Sequence, residues 1–244
     1  MNSILNSFFQ DQYKDFKNIL VSQWSVDSAT FSQFGRTINP IHKKYLALSC
    51  AATVIGQRSH RNEYAEGITE SSFFALVLAI KGLENPASVL LRQNIEMCLK
   101  HIYFYSHPVE YNWAATRDAY KELNFQMLLE YLTKTDEYKN FSSRKKNYDT
   151  LSATYAILSR YVHVQSKGFL NYSKINKAYK INVNVIKKIG DYSKNIWPIL
   201  ITLLIIYFPS KYKKASAIEK SLIRSGLTID LKTSIDHYLR NMQG

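Results

Sequence analysis

The 244-residue chain is poor in the residues that punctuate sheets and loops, with 8 glycines and 5 prolines. Glycine makes up about 7% of average proteins, and tight hairpin turns depend on it. Its scarcity argues against a sheet-rich fold and against glycine-rich loops that cradle phosphate. Cysteine is scarcer still, at 2 residues, which excludes a disulfide framework and a four-thiolate metal site. Cys50 and Cys98 both lie in apolar, helix-like surroundings, where a free cysteine behaves as a small buried hydrophobe. Long apolar runs are missing too. The most apolar stretch, Ile196–Phe208, is thirteen residues long and contains Pro198, whereas a membrane span needs roughly 20. It reads as a buried core helix. Met1–Lys17 lacks the basic leader and apolar centre of a signal peptide, so the expectation is a reducing, cytoplasmic location and no membrane.

Acidic residues are the last shortage. Lys and Arg number 32 against 19 Asp and Glu, a formal charge of +13. Residues 1–140 hold 14 basic and 14 acidic side chains, while residues 141–244 hold 18 and 5. The whole excess therefore falls in the last 104 residues. With 46% hydrophobic residues the chain is a globular protein and not a disordered one.

Apolar residues recur at helical spacing through most of the chain. Helices are expected over Asn6–Leu20 and Ile41–Ile55, with a loop through Ser25–Pro40, where Asn39 would cap and Pro40 open the second helix. Gln57–Gly67 is polar and reads as a loop or a frayed helix end. Glu70–Gly82 is apolar nearly all round, as a central helix would be. Asn85-Pro86 restarts the chain, with Asn85 as cap and Pro86 at the first helical position, into a helix that His107-Pro108 ends near Ser106. Val109 to about Thr135 continues as one helix, and Asp136–Asp149 is a charged connector. Helices from Thr150 to about Ser166 and from Val183 to Tyr207 complete the core. Tyr179–Val185 alternates well enough to be a short strand instead. Ala215–Met242 gives one or two amphipathic helices broken near Gly226. The expected fold is an all-α bundle of six to eight helices, divided as an N-terminal extension (1–68), a core (69–210) and a basic tail (211–244).

Standard catalytic motifs are absent: no nucleophile elbow, no paired histidines with a glutamate on one helical face, no cysteine–histidine cluster. No metal or other cofactor is expected. The informative signal is polar residues inside apolar helices. Arg92 and Glu96 are four apart and share a face among Val89, Leu91, Ile95, Leu99 and Tyr103. Such a pair is either a structural ion pair or part of a cleft, since isolated burial of charge costs several kcal/mol. Further on, Ser159 and His163 flank the stripe Leu151, Tyr155, Leu158 and Val162, and Arg160 precedes His163 by three residues.

These two segments, Leu90-Leu91-Arg92…Glu96 and Tyr155…Leu158-Ser159-Arg160-Tyr161-Val162-His163, together with the lead-in Ala79–Ala87, resemble the HEPN superfamily (higher eukaryotes and prokaryotes nucleotide-binding). The similarity is to its divergent, abortive-infection-like branch and covers about residues 70–170. It implies a helical bundle that often dimerises. It also implies a metal-independent endoribonuclease or RNA-binding toxin of a bacterial defence system, working alone or with a partner protein of a toxin–antitoxin pair. The family's catalytic motif places four to six residues between an arginine and its histidine, whereas here two separate Arg160 from His163. In this reading His163 is general base or acid, and Arg160, Arg92 and Glu96 shape the phosphate site. A catalytically silent helical module that binds nucleic acid or a partner subunit is the alternative.

The basic half points independently to a polyanion. Arg144, Lys145 and Lys146 form one run; Lys174, Lys177 and Lys180 recur every three residues; Lys187 and Lys188 follow. Cations at such density displace counterions from a phosphate backbone. Interleaved Tyr172, Tyr179, Tyr192, Tyr207 and Tyr212 offer faces on which unpaired bases stack. RNA is the expected partner, and the charge pattern admits DNA equally.

Overall fold

The computed structural model describes residues 2–56, 63–116, 123–162 and 181–242. Every regular element among them is helical. Thirteen helices are present: α1 (Asn2–Trp24), α2 (Ser28–Gln33), α3 (Gly35–Gly56), α4 (Glu63–Ile80), α5 (Glu84–Ser106), α6 (Pro108–Thr116), α7 (Phe125–Lys134), α8 (Asp136–Lys139), α9 (Arg144–Val162), α10 (Val183–Tyr207), α11 (Pro209–Lys214), α12 (Ala217–Ser225) and α13 (Ile229–Asn241). The all-α class holds, with more and shorter helices than the six to eight expected.

The centre is α10. Its first two turns bury one face through Val185, Ile186, Ile189 and Gly190, and from Ile196 to Ile206 every residue is buried. A helix apolar on all sides must be enclosed by others, and α3, α4, α5, α9 and α13 all pack against it. Each fully buried Leu or Ile contributes about 1.5–3 kcal/mol, so this one run supplies much of the stability. Gly190 lets α3 approach closely, since a Cβ there would stand 2.5 Å from Ile41 Cδ1. By length and composition α10 would suffice to cross a membrane, and 78% of its most apolar stretch is buried within the fold.

Around α10 the helices pack in sequence order. α4 ends at Ile80, and two residues on, Gly82, with a φ of 76°, allows the amide of Leu83 to reach back to Leu78 O at 2.8 Å. This closure satisfies the last carbonyls of the helix and turns α5 antiparallel onto α4. The polar residues inside this three-helix contact pair with one another: Trp197 Nε1 donates to Asn94 Oδ1 at 3.0 Å, and Asn94 Nδ2 donates to Ser71 Oγ at 2.5 Å. One hydrophobic cluster runs without interruption from Phe16 and Leu20 of α1 to Ile235 and Tyr238 of α13.

Several boundaries differ from the sequence reading. Pro40 is not the first residue of its helix but the sixth of α3, where it forgoes one backbone bond. α5 begins at Glu84, and Leu83 rather than Asn85 occupies the cap position. Asparagine caps do occur, at Asn124 and Asn182, whose side chains accept from Met127 N and from Asn184 N and Val185 N. Asn124 opens α7, so Val109–Thr135 is not one helix. The connector Asp136–Asp149 holds α8 and the first turns of α9. Val183 and Val185, considered for a strand, belong to α10, and the tail breaks at Gly226 as expected.

Two histidines are sealed in the core. His42 is 2% exposed and stacks on Phe16 at 4.5 Å between ring centroids, and His101, equally buried, lies against Phe208. Burial pushes each pKa down to about 4, with the nearby Lys211 adding to the effect at His101. Both are neutral in the fold and titrate near 6.5 once unfolded. Their contribution is therefore complete above about pH 6.5 and is lost as the pH falls from there toward 4. Each accounts for up to about 3 kcal/mol. Urea unfolding at pH 7 and pH 4.5 is expected to show this loss, and His42→Leu should lessen the difference between the two midpoints.

Candidate functional site

α5 and α9 carry the polar residues singled out in the sequence, and two carboxylate clusters join these helices. In the first, Glu96 Oε1 accepts from Arg92 Nε at 2.9 Å and from the Tyr155 hydroxyl at 2.6 Å. The Arg92 guanidinium also lies 4.9 Å from the Tyr155 ring centroid, and Phe125 of α7 stacks on that ring at 3.6 Å. The side chains of Arg92 and Glu96 are 21% and 27% exposed, so the pair borders solvent without projecting into it. Burial, aided by the hydrogen bond to Glu96, pushes the Tyr155 phenol up to about 12, and it stays a neutral donor.

The second cluster was not foreseen. Glu84 Oε1, in the first turn of α5, takes the Lys188 ammonium of α10 at 2.6 Å and the Tyr161 hydroxyl of α9 at 2.8 Å. Lys188 also sits 5.6 Å from the Tyr161 ring centroid. Burial raises the Tyr161 phenol to about 12, and the bonds to Glu84 and Tyr161 hold Lys188 above its ordinary range. The two clusters repeat one design, a carboxylate on α5 shared between a tyrosine of α9 and a cation. In the sequence Glu84 is one residue of the lead-in Ala79–Ala87, and only the packing of α5 on α9 and α10 reveals its role.

The candidate residues separate accordingly. Arg92 and Glu96 meet each other and Tyr155. Arg160 lies five residues beyond Tyr155, about 7.5 Å along the helix, is exposed, and makes no hydrogen bond or ion pair among the described residues. The end of α9 bearing Arg160 is the end held by Glu84 and Lys188, not the part held by Arg92 and Glu96. His163 follows the last residue of α9 and lies outside the described residues, as do Lys174, Lys177, Lys180, Tyr172 and Tyr179.

Of the basic candidates, Arg144, Lys145 and Lys146 occupy the first turn of α9 rather than a loop. Three cations at the positive end of a helix dipole oppose it and concentrate positive potential there. Arg144 donates to the carbonyl of Lys139, Lys146 reaches Asp230 of α13 at 3.5 Å, and Lys145 is exposed. Lys187 is exposed on α10, and Lys188 is taken up by Glu84. Tyr212 is 5% exposed, and the Tyr207 hydroxyl is 2.5 Å from Thr135 Oγ1. The Tyr212 ring is therefore closed to a base, and Tyr207 is half-buried with its hydroxyl engaged.

Among the described residues no group of three His, Cys, Asp or Glu side chains converges as a metal site would require. A shallow cleft of about 440 Å³ lies between α8 and α13, lined by Asp136, Glu137, Asn140, Tyr238, Asn241 and Met242. Its acidic rim is unsuited to phosphate. Compared with protein-family models, curated proteins and solved structures, the chain matches none.

The shared carboxylate makes Glu96 and Tyr155 energetically dependent on each other. Glu96→Gln and Tyr155→Phe, measured singly and together by urea unfolding, are expected to show a coupling of about 0.5–3 kcal/mol. Strictly additive losses would mean that the phenol and the carboxylate act separately.

Proposed function

We propose that the chain is an RNA-acting helical protein with a HEPN-like core, serving as a metal-independent endoribonuclease or RNA-binding effector of a bacterial defence system. The observation that carries this reading is the pair of hydrogen bonds joining the two segments on which the resemblance rests. Glu96 of the first segment accepts from Tyr155 of the second, and Glu84 in the lead-in accepts from Tyr161, two residues before His163. The segments are thus neighbours in space as well as similar in sequence.

The chemistry follows from the residue types. His163 takes the 2′-hydroxyl proton; the freed oxygen attacks phosphorus, the bond to the 5′-oxygen breaks, and that oxygen is protonated as it leaves. Arg160, the exposed cation of the last turn of α9, offsets the charge on the phosphorane oxygens. Arg92 and Glu96 hold α5 to α9 and act as positioning residues. A symmetric dimer supplies a second His163, so that one copy serves as base and the other as acid. The reading includes a cytoplasmic setting and, beside the homodimer, a partner protein of the defence or toxin–antitoxin pair.

The pairing of Arg92 with Glu96, and of Lys188 with Glu84, favours the second reading, a silent module that binds RNA or DNA through its exposed cations. Purified protein incubated with structured RNA in EDTA separates the two. Wild type is expected to cleave, and His163→Ala to lose at least about 100-fold in rate while its unfolding midpoint and RNA affinity are kept. Cleavage by both proteins, or by neither, overturns the catalytic reading.

A further inference from the structure

The lysines of α11 meet an aromatic partner from a distant part of the chain. Tyr105, in the last turn of α5, is 51% exposed, yet its ring is firmly placed. Phe208, between α10 and α11, meets it edge-to-face at 4.7 Å between centroids. The Lys211 ammonium stands 5.1 Å from the Tyr105 centroid and 5.2 Å from that of Phe208. Lys211 is itself fixed, since it donates to the carbonyl of Ile55 near the end of α3 at 2.8 Å. The corner between α10 and α11 thus pins a ring that solvent still reaches. Lys214 lies three residues beyond Lys211 and so shares its side of the helix, with Lys213 adjacent. Both are exposed, and neither pairs with a carboxylate among the described residues.

A ring that is already ordered has given up the freedom a ligand would otherwise have to remove. Lysines one turn away attract phosphate as point charges. An apolar ligand would gain from the ring and nothing from the lysines, and an acidic peptide would do the reverse. An unpaired nucleotide uses both, placing its base on the ring and its phosphate among the cations. We infer that Tyr105, Lys213 and Lys214 form a docking surface for single-stranded RNA. Tyr207 and Tyr212 stand nearer these lysines in sequence, but one is half-buried and the other buried, and Tyr105 supplies the open ring from the neutral half. The inference rests on the RNA-acting reading and adds to it a surface remote from the chemistry. Tyr105 and Glu84 lie at opposite ends of α5, about 30 Å apart at 1.5 Å per residue, and it is Glu84 that holds the end of α9 bearing Arg160.

Binding is measured on the full chain carrying His163→Ala, so that cleavage plays no part, by the fluorescence anisotropy of a short labelled oligouridylate. Tyr105→Ala is expected to weaken binding about 5- to 150-fold. Tyr105→Phe keeps the ring and should bind as the parent does. Lys213→Gln and Lys214→Gln should each make the fall of affinity with salt shallower, by about 0.7 in logarithmic slope. These two variants decide the matter even if Tyr105→Ala fails to fold, which thermal unfolding checks. Undiminished binding by folded Tyr105→Ala, equal losses in Tyr105→Phe and Tyr105→Ala, or an unaltered salt slope in both lysine variants overturns the surface. So does displacement of the probe by polyglutamate at matched charge, which would mark an acidic protein as the partner. Binding that ignores all three residues overturns the surface alone, whereas a parent that binds no RNA overturns the RNA-acting reading with it.

Discussion

The run from Ile196 to Ile206 has no face that water can occupy. That constraint organises the molecule: α3, α4, α5, α9 and α13 are arranged to enclose α10, and the polar groups drawn in with them must find partners inside. Thr202 donates to Pro198 O at 2.8 Å within the same helix, and Trp197 finds Asn94, which in turn finds Ser71 and the carbonyl of Ile68. A buried amide with no acceptor or donor would cost about 1–3 kcal/mol, so this chain of contacts also fixes how α4, α5 and α10 are rotated against one another. Apolar burial holds the helices together, and the asparagine selects one arrangement of them.

Charge follows a different logic from the one its distribution along the chain suggests. Dividing the sequence at residue 140 gives a neutral half and a basic half, yet the folded chain mixes them. Glu84 from the neutral half neutralises Lys188 from the basic half. Local density of lysine in sequence is thus a poor guide to which cations remain for a polyanion. Arg92 and Lys188 are held by carboxylates, and Arg160 and Lys187 stay exposed.

What was legible in the sequence was what local chemistry decides. His107-Pro108 ends α5 because the residue before proline leaves the helical region, the apolar period from Val183 to Tyr207 marks α10, and the tail breaks at Gly226. Arg92 and Glu96 stood out because four residues place two side chains on one helical face. Pro40 misled because proline is tolerated early in a helix without being its first residue, and Asn85 because an asparagine near a helix start is not always the one that caps it. The Glu84–Tyr161–Lys188 cluster draws on three helices far apart in sequence, and no periodicity within one helix encodes such a meeting. His163, on which the functional reading turns, stood out by its spacing beside an apolar stripe, and the role proposed for it came from resemblance.

The way α9 is held distinguishes it from its neighbours. α4, α5 and α10 meet through long apolar faces. α9 adds to its own apolar contacts two polar fastenings, 6 residues apart along its length, each made by one carboxylate oxygen with two donors. Its first turn meanwhile carries three cations that the helix itself disfavours. The like-charge crowding relaxes as ionic strength rises, whereas the two phenol–carboxylate bonds, each with a neutral donor on α9, are screened far less. The helix that leads to His163 therefore responds to its ionic surroundings chiefly at its first turn, while its opposite end is held by bonds that salt leaves largely alone.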